Sequence, residues 1–221
     1  MAFLLIISFL ELLDRGKLGF TAFPGQAADC AGHGTEVASL IAGTNVGVAK
    51  MANVISAQVL DCLGDGKNSD LLDAISWVIE THSKPAIINM SLGGDRSPSI
   101  ENAVKAAVAA GITVVVAAGN SNVNACTQSP AAVAEAITVA ASTQSNSRAK
   151  FSNFGPCVDI FAPGVDILAA TTVAKSRNGW AFASGTSFAA PLVAGVAALL
   201  LEKNPNWTPL RLKEELNNMA A

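Results

Sequence analysis

One serine of this chain stands in a setting that could make it a nucleophile. Residues 185–191 read Gly-Thr-Ser-Phe-Ala-Ala-Pro, and a run of small apolar residues continues to Leu201. Such a run predicts a buried helix with Ser187 in its first turn, where backbone N–H groups are unpaired and carry partial positive charge. A serine held there can attack a carbonyl group, and the N–H groups can stabilise the resulting oxyanion. The alternative is a plain helix start, because serine is a common N-cap residue.

Two further polar residues could complete this chemistry. His33 is flanked by glycines at the entrance of a short helix predicted over residues 36–43, so other groups can approach its ring closely. The second histidine, His82, lies near a predicted helix end and is interpreted as structural. Asn120 directly follows a predicted strand, where it is either a turn residue or an amide donor. Serine, histidine and an amide donor are together the groups that acyl transfer requires.

Alternating strands and helices are predicted to position these side chains. Predicted strands cover residues 54–60, 86–91, 113–118 and 136–141, and predicted helices cover residues 69–79, 97–110 and 209–218. Residues 12–28 are predicted to form a loop, and residues 158–160 a short antiparallel piece. The order of the elements predicts parallel βαβ units, with helices on both faces of one sheet. Because ligand sites in parallel sheets lie beyond the carboxyl ends of the strands, Ser91 and Asn120 should open onto one crevice.

Composition is typical of a well-packed globular domain. The chain has 221 residues, of which 51% are apolar and 14% are charged, and its net charge is -3. It contains no basic stripe, no linker and no apolar run of the roughly 20 residues that a membrane span needs. We therefore expect a single domain over residues 1–221, a monomer, that binds neither nucleic acid nor membrane. The first ten residues look superficially like a signal peptide, but they lack a basic start and a cleavage site, and a buried strand explains them at least as well.

The four cysteines leave two interpretations open. They form no Cys-x-x-Cys pair, so a zinc site is not expected. Their even number suits two disulfides, and four free buried thiols are the alternative.

Four stretches of the chain resemble, in order, the signature motifs of the subtilisin-like serine proteases (peptidase family S8). They read Gly-His-Gly-Thr at residues 32–35, Ser-Leu-Gly-Gly at 91–94, Ala-Ala-Gly-Asn at 117–120 and Gly-Thr-Ser-Phe-Ala-Ala-Pro at 185–191. The resemblance runs from about residue 16 to about residue 218 and is closest to the branch similar to proteinase K and aqualysin. It implies a three-layer α/β/α fold with a mainly parallel central sheet. It also implies a secreted enzyme, extracellular or in a vacuolar or lysosomal-type compartment, that hydrolyses peptide bonds of peptide or protein substrates.

The resemblance implies a role for each matched residue. Ser187 would be the nucleophile, His33 the general base, and Asn120 the side chain of the oxyanion hole. Two further segments would bind substrate. One would pair with an extended peptide, and the other would form a wall of the pocket for the residue before the scissile bond. The first segment is Ser91, Leu92 and Gly93, and the second is Ala117, Ala118 and Gly119.

Two disulfides and a candidate calcium site also follow from the resemblance. Cysteine separations of 32 and 31 residues imply the pairs Cys30–Cys62 and Cys126–Cys157. Asp159, with the backbone carbonyls near Ala134 and Ala136, falls where some relatives bind structural calcium, although a plain turn aspartate explains it as well. No cofactor is expected to be required for the reaction.

One expected residue has no counterpart. The family places an aspartate after a strand, about thirty residues before the histidine, and here that position falls within Phe-Leu-Leu-Ile-Ile at residues 3–7. Glu11, Asp14 and Asp29 do not align with it. Losing this aspartate costs on the order of 10⁴ in turnover, or about 5 kcal/mol. We therefore expect a chain altered or truncated within about residues 1–15 and short at its C-terminus. The alternative is a catalytically impaired relative that binds peptides or a protein partner through the retained cleft.

Overall fold

A seven-stranded parallel sheet forms the centre of the molecule. The computed structural model describes residues 2–4, 15–24, 29–172 and 175–220. The strands are β1 (Ala2–Leu4), β2 (Gly16–Thr21), β3 (Val54–Gln58), β4 (Ile87–Met90), β5 (Gly94–Asp95), β6 (Thr113–Ala117), β7 (Gln128–Ser129), β8 (Ile137–Ser142), β9 (Ile160–Pro163), β10 (Ile167–Ala170) and β11 (Trp180–Ala183). The central sheet has the order β2-β3-β1-β4-β6-β8-β9, with every neighbouring pair parallel. Strands β5 with β7, and β10 with β11, form two small antiparallel ribbons.

Helices cover both faces of the central sheet. They are α1 (His33–Ala42), α2 (Asn68–Thr81), α3 (Pro98–Ala109), α4 (Thr186–Lys203) and α5 (Pro209–Ala220). Helices α1, α4 and α5 share one core, which includes Ile41 and Leu212, and α2 and α3 share the other, which includes Ile75. Strand β6 contributes to both, because Val115 faces the first core and Val114 the second. The predicted three-layer α/β/α architecture is therefore confirmed.

Helix α4 lies in the core and carries the candidate nucleophile. It packs against strands β4, β6, β8 and β9 and against helices α1 and α5. By length and composition it is the one helix of the described residues that could cross a membrane, but 56% of that window is buried inside the structure. Gly195 allows close packing, because a Cβ atom added there would lie 2.6 Å from Val48 Cβ. These contacts fix the position of the helix start relative to the sheet.

Several predicted elements differ from the structure. Part of the predicted loop over residues 12–28 is strand β2, which pairs with β3 by backbone hydrogen bonds although it contains Gly16 and Gly19. The predicted antiparallel piece at 158–160 is the entry to β9, which runs parallel to β8. Helix α2 begins at Asn68, so Ser69 lies inside the first turn and does not cap it. His82 is the C-cap of α2, with its Nδ1 2.9 Å from the carbonyl oxygen of Ile79, which agrees with its structural interpretation.

Two disulfides each join two loops that are distant from each other in the sequence. The structure joins Cys30 to Cys62, with a Cα–Cα distance of 5.1 Å, and Cys126 to Cys157, with a Cα–Cα distance of 5.3 Å. This is the pairing that the resemblance implies, and it leaves no free cysteine. The first bond ties the approach to α1 to the loop after β3. The second ties the turn at residues 125–127 to the loop before β9.

Candidate active site

Ser187 is the second residue of α4 and lies beyond the carboxyl end of the sheet. This position leaves its N–H without a partner inside the helix, and no hydrogen bond among the described residues uses that N–H. The side chain is partly exposed. Its Oγ donates to the carbonyl oxygen of Ser91 at 3.2 Å, and the Ser91 hydroxyl donates to the carbonyl oxygen of Ser187 at 2.8 Å. The helix start therefore holds an accessible hydroxyl against the segment that follows β4.

His33 lies beside this serine at the start of α1. The helix begins at His33 itself, three residues earlier than predicted. Asp29 fixes the helix start, because its carboxylate accepts from the N–H groups of Gly32 at 2.8 Å and Thr35 at 2.7 Å and from the Thr35 hydroxyl at 2.6 Å. The ring of Phe188 meets the imidazole edge-on, with 5.6 Å between the centroids. The imidazole is thus held by helix α1 on one side and helix α4 on the other.

The histidine and the serine bond to the same carbonyl oxygen. His33 Nε2 lies 3.1 Å from Ser91 O, and Ser187 Oγ lies 3.2 Å from the same atom. A carbonyl oxygen only accepts hydrogen bonds, so the ring nitrogen that bonds to it carries the proton. An Nε2 that carries this proton cannot accept the proton of Ser187, because it has no free lone pair. Proton transfer from the serine therefore requires the imidazole proton to sit on Nδ1.

No described carboxylate bonds to the imidazole. The oxygens of Asp29 are used by the helix start. Glu36, in the first turn of α1, is fully buried, and its Oε1 lies 2.8 Å from Lys175 Nζ. Glu11 and Asp14 lie outside the described residues. Among the described residues, no hydrogen bond engages the second ring nitrogen, Nδ1.

Asn120 is anchored to the start of α4. Its Oδ1 accepts from the Thr186 N–H at 2.8 Å and from the Thr186 hydroxyl at 3.0 Å, and that hydroxyl accepts from the Gly119 N–H at 3.1 Å. Because Oδ1 makes both bonds, the amide Nδ2 is left to donate, and no described hydrogen bond uses it. Thr186 is fully buried and is a positioning residue that was not predicted from the sequence. Its position between Gly185 and Ser187 in the matched motif was the available signal.

Asn153 holds the turn that carries Asn120. It is fully buried, and its Nδ2 donates to the carbonyl oxygen of Ala118 at 2.8 Å. Its Oδ1 accepts from the N–H groups of Ser121 at 3.1 Å and Val123 at 3.0 Å. The turn after β6 is therefore braced from inside the protein. Nothing in the local sequence marks Asn153, because these partners in the turn lie 30 residues or more away along the chain.

A groove of about 580 Å³ runs beside His33. The side chains of Leu60, Leu71 and Ile100 contribute apolar surface, and the predicted substrate segment of Ser91, Leu92 and Gly93 also lines it. Leu92 and Gly93 belong to no described strand, so their backbone groups are available to pair with an extended peptide.

The second predicted substrate segment is placed differently. Ala117 and Ala118 are 4% and 0% exposed, and their side chains pack in the interior. Gly119 is partly exposed. Any wall that Ala117 and Ala118 provide would therefore be made by their backbone.

A carboxylate network supports the far end of the groove. Glu101 accepts from Arg96 Nε at 2.5 Å and Arg96 Nη2 at 2.9 Å, and from the Ser129 hydroxyl at 2.6 Å. The Ser97 N–H donates to the same hydroxyl at 3.0 Å. The hydrogen bonds from Arg96, followed by that from Ser129, hold the pKa of Glu101 below its ordinary value, although burial acts in the opposite direction. Arg96, which lines the groove, is fixed by this pairing.

Asp159 contacts a cation of the protein itself. Lys213 Nζ, on α5, lies 2.8 Å from each carboxylate oxygen of Asp159. It also donates to the carbonyl oxygens of Ala134 at 2.8 Å and Ala136 at 2.7 Å. An ammonium group thus lies among the oxygens that the resemblance assigns to calcium. Among the described residues, no group of three or more His, Cys, Asp or Glu side chains could hold a metal ion.

Comparison with known proteins decides the family. The sequence model described as "Subtilase family" (Peptidase_S8) matches residues 18–221. The chain belongs to the subtilase family. This subtilase is 47% identical to the extracellular serine proteinase of Thermus sp. (strain Rt41A) over 214 residues, which cover 96% of the chain and 52% of that protein. It is 46% identical to alkaline serine exoprotease A of Vibrio alginolyticus over 188 residues, which cover 85% of the chain and 34% of that protein.

A solved structure extends the similarity to the whole fold. The crystal structure of a cold adapted subtilisin-like serine proteinase matches this subtilase with a TM-score of 0.92 and 42% sequence identity. The match covers 98% of the subtilase and 80% of that chain. The subtilase spans about half the length of the Thermus relative and about a third of the Vibrio relative.

Proposed function

We propose that this subtilase is a serine endopeptidase that hydrolyses peptide bonds through an acyl-enzyme on Ser187. One observation carries the proposal. The hydroxyl of Ser187 and the imidazole of His33 converge on the same carbonyl oxygen, while Asn120 is bonded to the start of the same helix. A module that only binds peptides has no need of these three groups together.

The proposed reaction assigns one task to each group. Ser187 Oγ attacks the carbonyl carbon of the substrate, and its proton passes to His33 Nε2 once the imidazole proton is on Nδ1. The oxyanion is bound by the N–H of Ser187 and the Nδ2 of Asn120. The amine leaves with the proton from His33, and water then hydrolyses the acyl-enzyme by the same steps. His33 is restored to its starting protonation at the end of the cycle.

The groove favours an extended peptide as substrate. We expect the backbone of residues 91–93 to pair with the peptide as a further strand, because Leu92 and Gly93 belong to no described strand. The apolar surface of Leu60, Leu71 and Ile100 would contact apolar side chains of the peptide. Peptides or proteins are therefore the proposed substrate class. The names of the relatives and the two disulfides support a secreted, extracellular location.

A second candidate function is peptide binding without efficient hydrolysis. It is favoured by the contact between His33 Nε2 and Ser91 O, because a ring nitrogen that donates to this oxygen cannot accept the proton of Ser187. It is also favoured by the apolar sequence of residues 3–7, where the resemblance places the aspartate of the family. Without a carboxylate on Nδ1, turnover would fall by about 10⁴.

Hydrolysis of an unfolded protein substrate separates the two candidates. The chain and its Ser187→Ala variant are compared for peptide release, and both are titrated with a product-length peptide to measure binding. Release that is abolished in Ser187→Ala supports the endopeptidase. Equal background release from both, with peptide bound by both, supports the binding function. A folded chain that neither cleaves nor binds peptide would contradict both.

A further inference from the structure

We propose that Lys213 replaces a structural divalent cation, so that its ammonium group permanently fills an oxygen cage between α5 and the sheet. The cage consists of the carboxylate of Asp159 and the carbonyl oxygens of Ala134 and Ala136. It lies outside the proposed catalytic groups. The contacts of Lys213 hold this region together whether or not Ser187 is active.

The geometry suits an ammonium group. All four oxygens lie 2.7 to 2.8 Å from Lys213 Nζ, which is the usual distance for hydrogen bonds from a charged donor. Calcium instead takes six to eight oxygens at roughly 2.3–2.6 Å. The ammonium group lies where such an ion would have to sit, so calcium does not fit while the Lys213 side chain is in place.

The surrounding structure holds Asp159 and Lys213 in place. Asp159 is tied to the sheet, because its N–H donates to Thr138 O at 2.9 Å and its Oδ2 accepts from the Thr138 N–H at 2.8 Å. The side chains of Lys213 and Asp159 are only 14% and 19% exposed. A partly buried carboxylate needs a positive partner, and here the protein supplies one from its own last helix.

The ammonium group also ties α5 to the sheet. Lys213 follows Leu212, which is fully buried in the core beneath the same helix. Apolar packing by Leu212 and the four contacts of Lys213 therefore act together. The docking of α5 should depend on Lys213 and be independent of calcium.

Removing the ammonium group should open the cage to calcium. We expect Lys213→Ser to unfold at a lower temperature than the native chain in EDTA. Saturating Ca²⁺ should then raise its Tm by about 5 °C or more, because an ion that binds only the folded state stabilises it. The native chain should show no such rise, and the exposed-lysine control Lys203→Ser should behave like the native chain. Adding Asp159→Asn to Lys213→Ser should abolish the response.

Two results would overturn this assignment. One is a folded Lys213→Ser variant whose response to Ca²⁺ equals that of the native chain. The other comes from acetylation of the native protein followed by mass spectrometry, which needs no folded variant. Lys213 should react roughly tenfold more slowly than exposed Lys105, because its three donors are engaged. Equal rates for the two lysines would show that the cage is not occupied.

Discussion

Asn120 has two separable tasks, one structural and one catalytic. Its Oδ1 accepts two hydrogen bonds from Thr186 and so holds the start of α4, while its Nδ2 is the proposed oxyanion donor. Two substitutions distinguish the tasks. Asn120→Ala removes both the acceptor and the donor. Asn120→Asp keeps an acceptor of the same shape but replaces the donor with a carboxylate oxygen.

The two variants should differ in stability. Asn120→Ala leaves the N–H and the hydroxyl of buried Thr186 without their acceptor, which costs about 2 kcal/mol, or about 4–8 °C in Tm for a chain of this size. Asn120→Asp keeps both bonds and adds negative charge at a helix N-terminus, which is favourable by about 0.3–1 kcal/mol. Its Tm should equal or exceed that of the native chain.

Both variants should lose catalytic power. Removing such a donor costs on the order of 10²–10³ in kcat, about 2.7–4 kcal/mol, a range that comes from subtilisin, itself a member of this family. The loss in Asn120→Asp should be at least as large, because its carboxylate faces the developing oxyanion. The assay is the second-order rate constant for acylation of Ser187 by an activated ester, measured beside thermal unfolding by circular dichroism. Acylation of Asn120→Asp at the native rate would refute the oxyanion assignment, and a Tm as low as that of Asn120→Ala would refute the structural one.

Three other variants test the surrounding structure. Hydrogen bonds from Arg96, and then from Ser129, lower the pKa of Glu101. The ionised carboxylate therefore stabilises the fold at pH values above its ordinary pKa of 4.5. This stabilisation is lost as the pH falls through the lowered pKa of the folded state. Glu101→Gln should thus reduce the loss of Tm in acid; an unchanged acid profile would contradict this. Replacing both Cys126 and Cys157 with serine removes a disulfide that closes a loop of 31 residues. The free energy of unfolding, measured by urea denaturation, should fall by about 3–4 kcal/mol. No change in that free energy would count against the loop-closure explanation. Gly195→Ala places a Cβ 2.6 Å from Val48 Cβ and should lower stability by about 1–3 kcal/mol despite the better helix propensity of alanine; a rise in Tm would disprove close packing there.

Parallel topology is what made the site predictable from the sequence. Ser91 and Asn120 each follow a short buried strand, and parallel strands bring their carboxyl ends to one edge. His33 and Ser187 were recognisable because each stands at a helix entrance next to glycine or a small residue. The local sequence pattern therefore predicted most residues of the candidate site. It placed the start of α1 three residues too late, because the helix begins at His33 itself.

Contacts between distant residues were not predictable in the same way. Strand β2 forms because its backbone pairs with β3, and its glycines and exposed residues give no strand pattern of their own. Asn153 and Thr186 act through hydrogen bonds to residues 118–123, which no periodicity records. Lys213 reaches Asp159 across 54 residues of sequence, and only the fold brings the two charges together.

The central claim is that Ser187 is a nucleophile activated by its surroundings, and covalent labelling tests it most directly. The folded chain is incubated with a fluorophosphonate, and the adduct is located by intact mass and peptide mass spectrometry. The proposed function predicts one adduct per chain, on Ser187, lost in Ser187→Ala and slowed in Asn120→Asp. A chain shown by circular dichroism to be folded that takes up no label, or takes it up equally in Ser187→Ala, would contradict the claim.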